Sequence, residues 1–265
     1  MSLSSNSVEE SAGAVVAGAL DRSTELLVVN PPRALMATLI DRLAGTEDPP
    51  RVRLFADPEP LKTLLERFVP AAKLADLVAE GVVTVRTLQS VPRTALLLSP
   101  DSVVAFIPGP DRSAGLTATD NDVIGRTYDR FDQRWAAAPE YEVGVPPLST
   151  VRETLRSELG EAVATDFETL LAAGPGSDPD AVTLCLLAAA RNKQLLYDIS
   201  QWGEAVGLAS KATFSRAKTA LEDAGILGTE SVPIEVGRPR LRLTLPPDLA
   251  GEPANTLVRE AQDRR

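Results

Sequence analysis

The chain has 265 residues, a net charge of −10, one cysteine and no histidine, and this length suits one sizeable domain followed by a smaller one. The lack of histidine excludes Ser-His-Asp and Cys-His catalysis and histidine metal sites, and the single cysteine excludes an internal disulfide and a cysteine-rich zinc site. We therefore expect no enzyme, no catalytic or metal site and no cofactor, and the remaining enzymatic alternative is a metal-dependent activity that uses clustered Asp or Glu.

The N-terminal segment predicts a soluble, cytoplasmic protein with no membrane partner. Glu9 and Glu10 stand where a signal peptide would carry basic residues. The apolar run 12–20 is too short, and too interrupted by glycine, to span a bilayer. We expect residues 8–20 to form a short Ala-rich helix.

Strands alternate with helices from residue 25 to residue 135. The predicted helices cover 33–43, 57–68, 71–80 and 121–135, and the predicted strands cover 25–29, 51–56, 82–88, 95–98 and 103–107. Strands joined through helices predict a mostly parallel sheet, and the last two strands predict an antiparallel edge. We interpret residues 1–138 as an α/β sensor-like domain.

The loops at the carboxyl ends of parallel strands are the usual ligand crevice of such a sheet. The candidates for binding a small-molecule effector there are Asn30, Arg33, Asp57 and Arg86. The alternative interpretation makes Asn30 and Asp57 ordinary turn and cap residues and Arg33 an ordinary cation on a helix face. The first strand ends in Val29-Asn-Pro-Pro32 rather than in glycines, which disfavours nucleotide binding by a phosphate loop.

Residues 139–178 are predicted to be a helical linker. It follows a boundary rich in Ala, Pro and Gly at 136–147, and it ends in a flexible joint at 174–179. A capping box from Thr150 to Glu153 would begin its first helix. The apolar positions of the two helices are Val151, Leu155, Leu159, Val163, Phe167, Leu170 and Leu171. This pair either packs within the chain or forms the seam of a homodimer.

Residues 179–247 show the order of a winged helix-turn-helix. A helix at 181–193 carries Cys185 among Leu and Ala, where it is expected to be a small core residue. Asp198 and Gln201 fit a capping box for the second helix, which Gly207 would end. Ser210 would cap a third helix that runs to residue 224.

The third helix has the composition of a recognition helix. With Phe214, Ala217 and Leu221 facing inward, the polar side chains lie on or beside the solvent face. The DNA-binding candidates of this helix are Ser210, Lys211, Thr213, Ser215, Arg216, Lys218 and Thr219. Arg binds guanine in a bidentate manner, Ser and Thr contact bases or phosphates, and Lys contacts phosphate.

A hairpin follows, with its outgoing strand at 226–227 and 231–236, a turn at 237–239 and its return strand at 240–245. The alternation of residues from Arg238 to Leu243 places Arg238, Arg240 and Arg242 on one face and predicts that Leu241 and Leu243 face the core. Such a strand is typical of a wing that lies on phosphates or in the minor groove. The alternative is a small helical domain with a solvated basic edge. Residues 248–265 are predicted to be a polar tail with one or two helical turns near 256–262.

The charge is unevenly divided. Residues 1–180 carry 16 Lys and Arg against 27 Asp and Glu, whereas residues 181–245 carry eight against six. The segment with the positive balance is therefore the one that has the order of a DNA-binding domain.

Two runs of the sequence carry a resemblance to a known family. They are Leu195-Leu-Tyr-Asp-Ile-Ser-Gln-Trp-Gly-Glu-Ala-Val-Gly-Leu-Ala-Ser-Lys-Ala-Thr-Phe-Ser-Arg216 and Val236-Gly-Arg-Pro-Arg-Leu-Arg-Leu243. With Leu26–Asn30 and Arg152–Leu155, they resemble the haloarchaeal TbsP family of transcriptional regulators over nearly the whole chain. The resemblance implies a sequence-specific regulator of metabolic genes that binds double-stranded promoter DNA. The alternative is a protein-protein interaction module that docks the basal transcription machinery.

The acidic composition, with only five lysines, is typical of proteins that stay soluble in concentrated salt, as in the acidic proteome of a halophilic archaeon. Concentrated salt weakens phosphate contacts. We therefore expect contacts to base edges to carry an unusually large share of the DNA affinity.

Overall fold

The computed structural model describes residues 6–7, 11–88, 92–109, 112–173, 180–235 and 239–264. Contacts divide the chain into two compact units, Met1–Gly144 and Val145–Arg265. The division falls within the segment rich in Ala, Pro and Gly at 136–147.

The first unit contains a sheet of seven strands among the residues described. The strands are β1 Asn6–Ser7, β2 Glu25–Val29, β3 Arg51–Ala56, β4 Val83–Thr87, β5 Ala95–Ser99, β6 Ser102–Ile107 and β7 Ala114–Thr117. Their spatial order is β1-β7-β6-β5-β2-β3-β4. The helices are α1 Ala12–Leu20, α2 Arg33–Ala44, α3 Pro58–Leu65, α4 Phe68–Ala79 and α5 Asn121–Ala136.

The predicted α/β class, with parallel strands and an antiparallel edge, is confirmed. β2, β3 and β4 are parallel neighbours, and β5 pairs antiparallel with β2. The antiparallel part continues through β6, β7 and β1, so the sheet has four antiparallel strand pairings and two parallel ones among the residues described. The reason is the length of the connections: the turn at Pro100-Asp101 is far too short for a crossover, and it reverses the chain instead.

Both faces of this sheet are covered. Alternate residues of the strands, such as Val28 and Leu54, pack with α1–α4 in one apolar cluster. The opposite face, with Phe55, packs against Trp135 of α5 in a second cluster. Arg53 attaches α5 to the sheet, because its guanidinium lies 2.5 Å from Asp132 Oδ1 and 2.7 Å from the Tyr128 hydroxyl.

The second unit is helical and ends in a hairpin and a helix. Its elements are α6 Leu148–Thr154, which continues as a π-helical stretch Leu155–Leu159, α7 Glu161–Ala172, α8 Ala181–Arg191, α9 Leu196–Ala205, α10 Lys211–Asp223, β8 Gly228–Val232, β9 Arg240–Thr244 and α11 Ala254–Asp263. α8 is the central helix, since every residue from Ala181 to Ala190 is buried. Cys185 is fully buried within it, and burial raises the pKa of its thiol far above the ordinary value.

The helices that we predict as a linker are part of this unit. Val151, Leu155, Val163 and Phe167 are all buried, and α7 packs on α8. α6 begins at Leu148 after Pro147, so Thr150 lies inside the helix and the predicted capping box is wrong. The joint predicted at 174–179 lies outside the described residues.

The tail also differs from its prediction. α11 is ten residues long and buries Ala254, Leu257, Val258 and Ala261. Its polar residues lie between those positions, which makes the helix strongly amphipathic, and it packs on α7 and α8.

Candidate nucleic-acid interface

α9 and α10 form a closely packed helix-turn-helix. A Cβ atom built on Gly203 of α9 would lie 2.3 Å from Cε2 and 2.4 Å from Cζ of Phe214, which is fully buried in α10. Gly207, with φ 81°, occupies the left-handed position just after α9. Trp202 fixes the other side of α9, because its Nε1 donates to Thr154 Oγ1 at 3.0 Å. Glycine is therefore needed at positions 203 and 207 for α9 and α10 to meet in this geometry.

The start of α9 differs from the prediction. The helix begins at Leu196, so Asp198 lies in its first turn rather than at the cap. Leu195 forms a β-bridge with Arg242, and Leu243 N donates to Gln194 O at 2.9 Å. This pairing with the hairpin holds the chain extended up to Leu195 and fixes where the helix can start.

The orientation predicted for α10 is confirmed. Phe214, Ala217 and Leu221 are buried, and the Ser210 hydroxyl accepts a hydrogen bond from Thr213 N at 3.2 Å as the N-cap. Of the DNA-binding candidates predicted here, those that are exposed are Ser210, Lys211, Ser215, Arg216 and Thr219.

Thr213 and Lys218 do not share that free exposure. Thr213 is half-buried, and its hydroxyl lies 3.0 Å from Ser210 Oγ and 3.4 Å from Arg216 Nη2. The Lys218 side chain is only 12% exposed, and its Nζ lies 2.5 Å from Glu222 Oε2. Lys218 therefore forms an ion pair within the protein, in a position poorly suited to a phosphate contact.

Glu222 links α10 to the wing. Besides Lys218, it accepts a hydrogen bond from Thr229 Oγ1 of β8 at 2.8 Å. Burial alone would raise the pKa of Glu222, but the hydrogen bonds from Lys218 and Thr229 outweigh it, and the pKa is lowered.

The hairpin β8-β9 places two of the three predicted arginines beside the helices. Arg240 stacks on Tyr197, with its guanidinium carbon 4.2 Å from the ring centroid, and its Nη1 lies 3.7 Å from Asp198 Oδ1. Arg242 is half-buried and lies opposite Glu230 in the register. Arg238 lies outside the described residues.

The prediction for Leu241 is wrong, although Leu243 is fully buried as expected. Leu241 is 37% exposed. Leu241 pairs with Ser231 and lies two residues nearer the tip of the hairpin than Leu243. Leu243 is the residue at which the hairpin is attached to the helices, since its N donates to Gln194 O. Leu241 borders a surface groove instead of the core.

This feature, here called the wing groove, is a cavity of about 430 Å³ between the start of α9, α10 and the hairpin. It is lined by Leu196, Tyr197, Ser200, Lys211, Ser215, Ile234, Pro239, Arg240 and Leu241. Tyr197 and Ile234 are 46% and 39% exposed. Lys211 Nζ lies 3.5 Å from Glu204 Oε2 and 5.8 Å from the Tyr197 ring centroid. Sequence patterns gave no reason to select Tyr197, Glu204 or Ile234, because only the fold brings them beside α10.

The first unit contains a crevice where several strands end, here called the strand-end crevice. It has a volume of about 410 Å³ and is lined by Asn30, Pro31, Pro32, Asp57, Pro60, Arg93, Thr94, Ala95, Phe106, Ile107 and Pro108. Asn30 adopts a left-handed conformation with φ 47°, and its Nδ2 donates to Pro92 O at 2.6 Å. Asp57 caps α3 by accepting from Glu59 N at 3.1 Å.

The structure brings together two of the four effector candidates. Asn30 and Asp57 line the strand-end crevice, whereas Arg33 is exposed on α2 and Arg86 lies on β4, both away from its lining. The contacts of Arg86 lie within the protein: its guanidinium donates to Trp135 O at 2.8 Å and to Glu140 Oε1 at 2.9 Å, and it stacks on the Trp135 ring. Arg93, which sequence reasoning missed, stands exposed at the crevice.

None of the helices in the described part of the chain has the length and apolar character required to cross a bilayer. Within the same residues, no three Asp, Glu or Cys side chains come together in an arrangement that could hold a metal ion.

Two family models match the chain in succession. The model described as "Transcriptional regulator TbsP-like, N-terminal" matches residues 4–146. The model described as "Transcriptional regulator TbsP-like, C-terminal HTH domain" matches residues 147–262. No curated protein and no solved structure shows a significant match.

Proposed function

We propose that the helix-turn-helix domain of this chain binds double-stranded promoter DNA in a sequence-specific manner. The chain belongs to the TbsP-like family of transcriptional regulators. The observation that carries the proposal is the division of α10 into two faces. Phe214, Ala217 and Leu221 are buried, while Lys211, Ser215, Arg216 and Thr219 are exposed together. An exposed polar face on the second helix of a helix-turn-helix is what enters the major groove.

Within that face, Arg216 is the best candidate for contact with a base. Its side chain is exposed, and its hydrogen bond to Thr213 Oγ1 is long, at 3.4 Å. That bond uses one of the five guanidinium N–H donors, so four remain, and two of them can bind O6 and N7 of a guanine. Lys211 and Ser215 are suited to phosphate or base contacts beside it.

The test begins with selection of bound duplexes from a randomised pool in KCl, followed by affinity measurements on the enriched duplex. Arg216→Ala should lose on the order of 1–3 kcal/mol of specific affinity, with little change in binding to unselected DNA. Arg259→Ala, which removes an exposed arginine of α11, is the matched control and should bind as the wild type does. Equal affinity of the Arg216 variant for the enriched duplex would remove Arg216 from the base-contacting set.

The arginines of the wing are proposed to contact phosphates. Arg240 is held beside α9 by Tyr197 and Asp198, and Arg242 lies on the same strand. Because phosphates carry no sequence information, replacing Arg240 and Arg242 by Gln should weaken binding to enriched and unselected duplexes by the same factor. A loss confined to the enriched duplex would instead indicate base contacts.

The strand-end crevice is proposed to bind a small-molecule effector. Asn30 and Asp57 offer polar groups, and four of the lining residues are prolines, whose fixed backbone gives rigid apolar walls. Rigid walls lose little entropy when a ligand binds. With Arg93 at the crevice, the class of ligand that fits is a small amphipathic anion with an apolar ring or chain.

An apolar sulfonate dye, 8-anilinonaphthalene-1-sulfonate, tests the crevice, because it combines both features of that class. Arg93→Gln should weaken dye binding about tenfold through loss of a charge-assisted contact. Arg33→Gln removes an exposed cation that does not line the crevice and should leave dye binding unchanged. Equal losses in the two variants would exclude a specific role for Arg93.

The protein is further proposed to act as a homodimer and to regulate metabolic genes. Dimers match the two-fold symmetry of palindromic binding sites. Most apolar positions of this helix pair, such as Val151 and Phe167, are buried within the unit, whereas Leu159 and Leu171 are half-buried, so only a small part of this face stays available to a dimer. Light scattering would measure the oligomeric state, and genome-wide mapping of bound sites would identify the regulated genes.

A further inference from the structure

We propose that the wing groove contacts DNA through apolar side chains, and that this contact supplies a share of the DNA affinity that salt does not weaken. The inference rests on the proposed function, because it adds an apolar contact with DNA at the wing groove to the contacts proposed for α10.

Exposed apolar side chains are concentrated at this groove. Among the residues that the structure describes, the exposed large apolar side chains number seven, and Tyr197, Ile234 and Leu241 all line the wing groove. Single exposed apolar residues are common on proteins, but a contiguous group marks an interaction surface. All three side chains retain more than a third of their surface exposed, so they are available to a partner.

The cations beside these side chains are already paired within the protein. Lys211 lies 3.5 Å from Glu204, and Arg240 lies 3.7 Å from Asp198 and stacks on Tyr197. A phosphate that approaches either cation must compete with a carboxylate. The groove therefore gains less from phosphate contact than a basic wing without acidic neighbours would, and its apolar surface carries more of the binding.

The position of the groove favours DNA as its occupant. Ser215 of the exposed face of α10 lines the groove, so a duplex that contacts α10 would reach the groove as well. DNA offers two kinds of apolar surface there, the deoxyribose and the thymine methyl group. Lys211 and Arg240 at the rim balance Glu204 and Asp198, so this rim does not repel the charged backbone that carries the sugars.

The response to salt separates this contact from the others. Each phosphate contact makes the logarithm of the affinity fall with the logarithm of the salt concentration, with a slope of about −0.9. Apolar contacts release no counterions. Loss of an apolar contact should therefore reduce the affinity by one factor at every salt concentration, while loss of a phosphate contact should change the slope.

The experiment measures affinity for the enriched duplex across a series of KCl concentrations, by fluorescence anisotropy. Leu241→Ser and Ile234→Ser should each lose about fivefold in affinity with an unchanged slope. Lys211→Gln should make the slope shallower, by at most about 0.9, the value for one full phosphate contact. Val123→Ser removes an exposed apolar side chain of α5 in the first unit and should leave both quantities unchanged.

The two proposals fail in different ways. If the wild type enriches no duplex, the proposed DNA binding itself is wrong. If the wild type binds but Leu241→Ser and Ile234→Ser bind equally well, the groove does not contact DNA, and a protein of the transcription machinery becomes its occupant. A loss accompanied by a change in slope would show that the two side chains act through the neighbouring charges, which also overturns the inference.

Discussion

Glu222 shows how one carboxylate joins the proposed recognition helix to the wing. It accepts hydrogen bonds from Lys218 on its own helix and from Thr229 on β8. Its burial opposes ionisation, yet its pKa is lowered, because the two donors stabilise the charged form. Lys218 thus contributes to the attachment of the hairpin, a role that no helical pattern in the sequence indicates.

The lowered pKa predicts a pH-dependent contribution to stability. A carboxylate whose pKa is lower in the folded state stabilises the protein above the ordinary Glu range and loses that contribution as the pH falls through the lowered pKa. Glu222→Gln should therefore lower the free energy of unfolding by on the order of 1 kcal/mol near neutral pH. The difference from the wild type should shrink on acidification to about pH 3. Urea unfolding followed by circular dichroism measures both values.

Asp223→Asn provides the control, because Asp223 is the exposed neighbour of Glu222 on the same helix. It should show little difference from the wild type at either pH. A difference between Glu222→Gln and the wild type that stays constant from neutral to acid pH would contradict the assignment.

Single residues are also where sequence-based reasoning was least able to predict the site. Asn30 and Asp57 come together because each follows a parallel strand, which the sequence indicates. Arg86 also lies on a parallel strand, but its guanidinium donates to the backbone of Trp135 and to Glu140. Those partners are about fifty residues away, and only the position of α5 brings them near.

At the scale of elements, the contact of Gly203 with Phe214 determines how closely α9 and α10 approach. Gly203→Ala would place a Cβ 2.3 Å from the ring, so the helices must separate or the ring must leave its rotamer. Overpacking of this kind typically costs about 1–3 kcal/mol. We expect Gly203→Ala to lower the stability of the second unit by that amount.

Trp202 is a local reporter for this measurement, because the chain has two tryptophans and Trp202 lies buried in α9. In a Trp135→Phe background, its fluorescence during urea unfolding follows the second unit alone. Phe214→Leu should partly restore the stability of the Gly203 variant by making room for the new methyl group. Gly144→Ala, where nothing lies within 4 Å of an added Cβ, should cause no such loss.

Elements with a clear apolar period were predictable, and their ends were less so. α10 has the predicted cap and buried face. α9 starts before the polar residues that would suit a cap, because pairing of Leu195 with Arg242 sets its beginning. α11 was underestimated because its four buried residues are spread among polar ones, and their role depends on the apolar surface of α7 and α8.

Over the whole molecule, the distribution of charge is the property that composition predicts best. Residues 1–180 carry eleven more acidic than basic side chains, and like charges in a compact fold repel each other. KCl screens that repulsion, since the Debye length falls from about 10 Å at 0.1 M to about 3 Å at 1 M. We expect the urea midpoint of the full chain to rise with KCl over that range.

A variant with less negative charge tests the cause. Glu47 and Asp129 are exposed, so Glu47→Gln with Asp129→Asn removes two charges with little effect on packing. This variant should be less dependent on KCl than the wild type, because it has less repulsion to screen. An equal rise in both proteins would point to a general effect of the salt on apolar burial instead.

The order of strands could not be derived fully from the sequence. Alternation of strands and helices predicts the parallel neighbours β2, β3 and β4, because crossovers place consecutive strands side by side. The sequence does not specify on which edge the following hairpin lies. In the structure β5 pairs with β2 on the side away from β3. β2 is therefore an interior strand, and the strand-end crevice forms between it and the antiparallel strands.

Because Cys185 is buried at the centre of α8, the reactivity of its thiol reports opening of the second unit. A buried thiol with a raised pKa cannot react with an alkylating reagent until α8 leaves its neighbours. The rate of labelling therefore reports how often this domain opens, averaged over the sample, in the unmodified wild-type chain. The chain has no second cysteine, so labelling adds the mass of a single adduct. A slower appearance of that adduct in the presence of DNA would show that bound DNA keeps the domain closed.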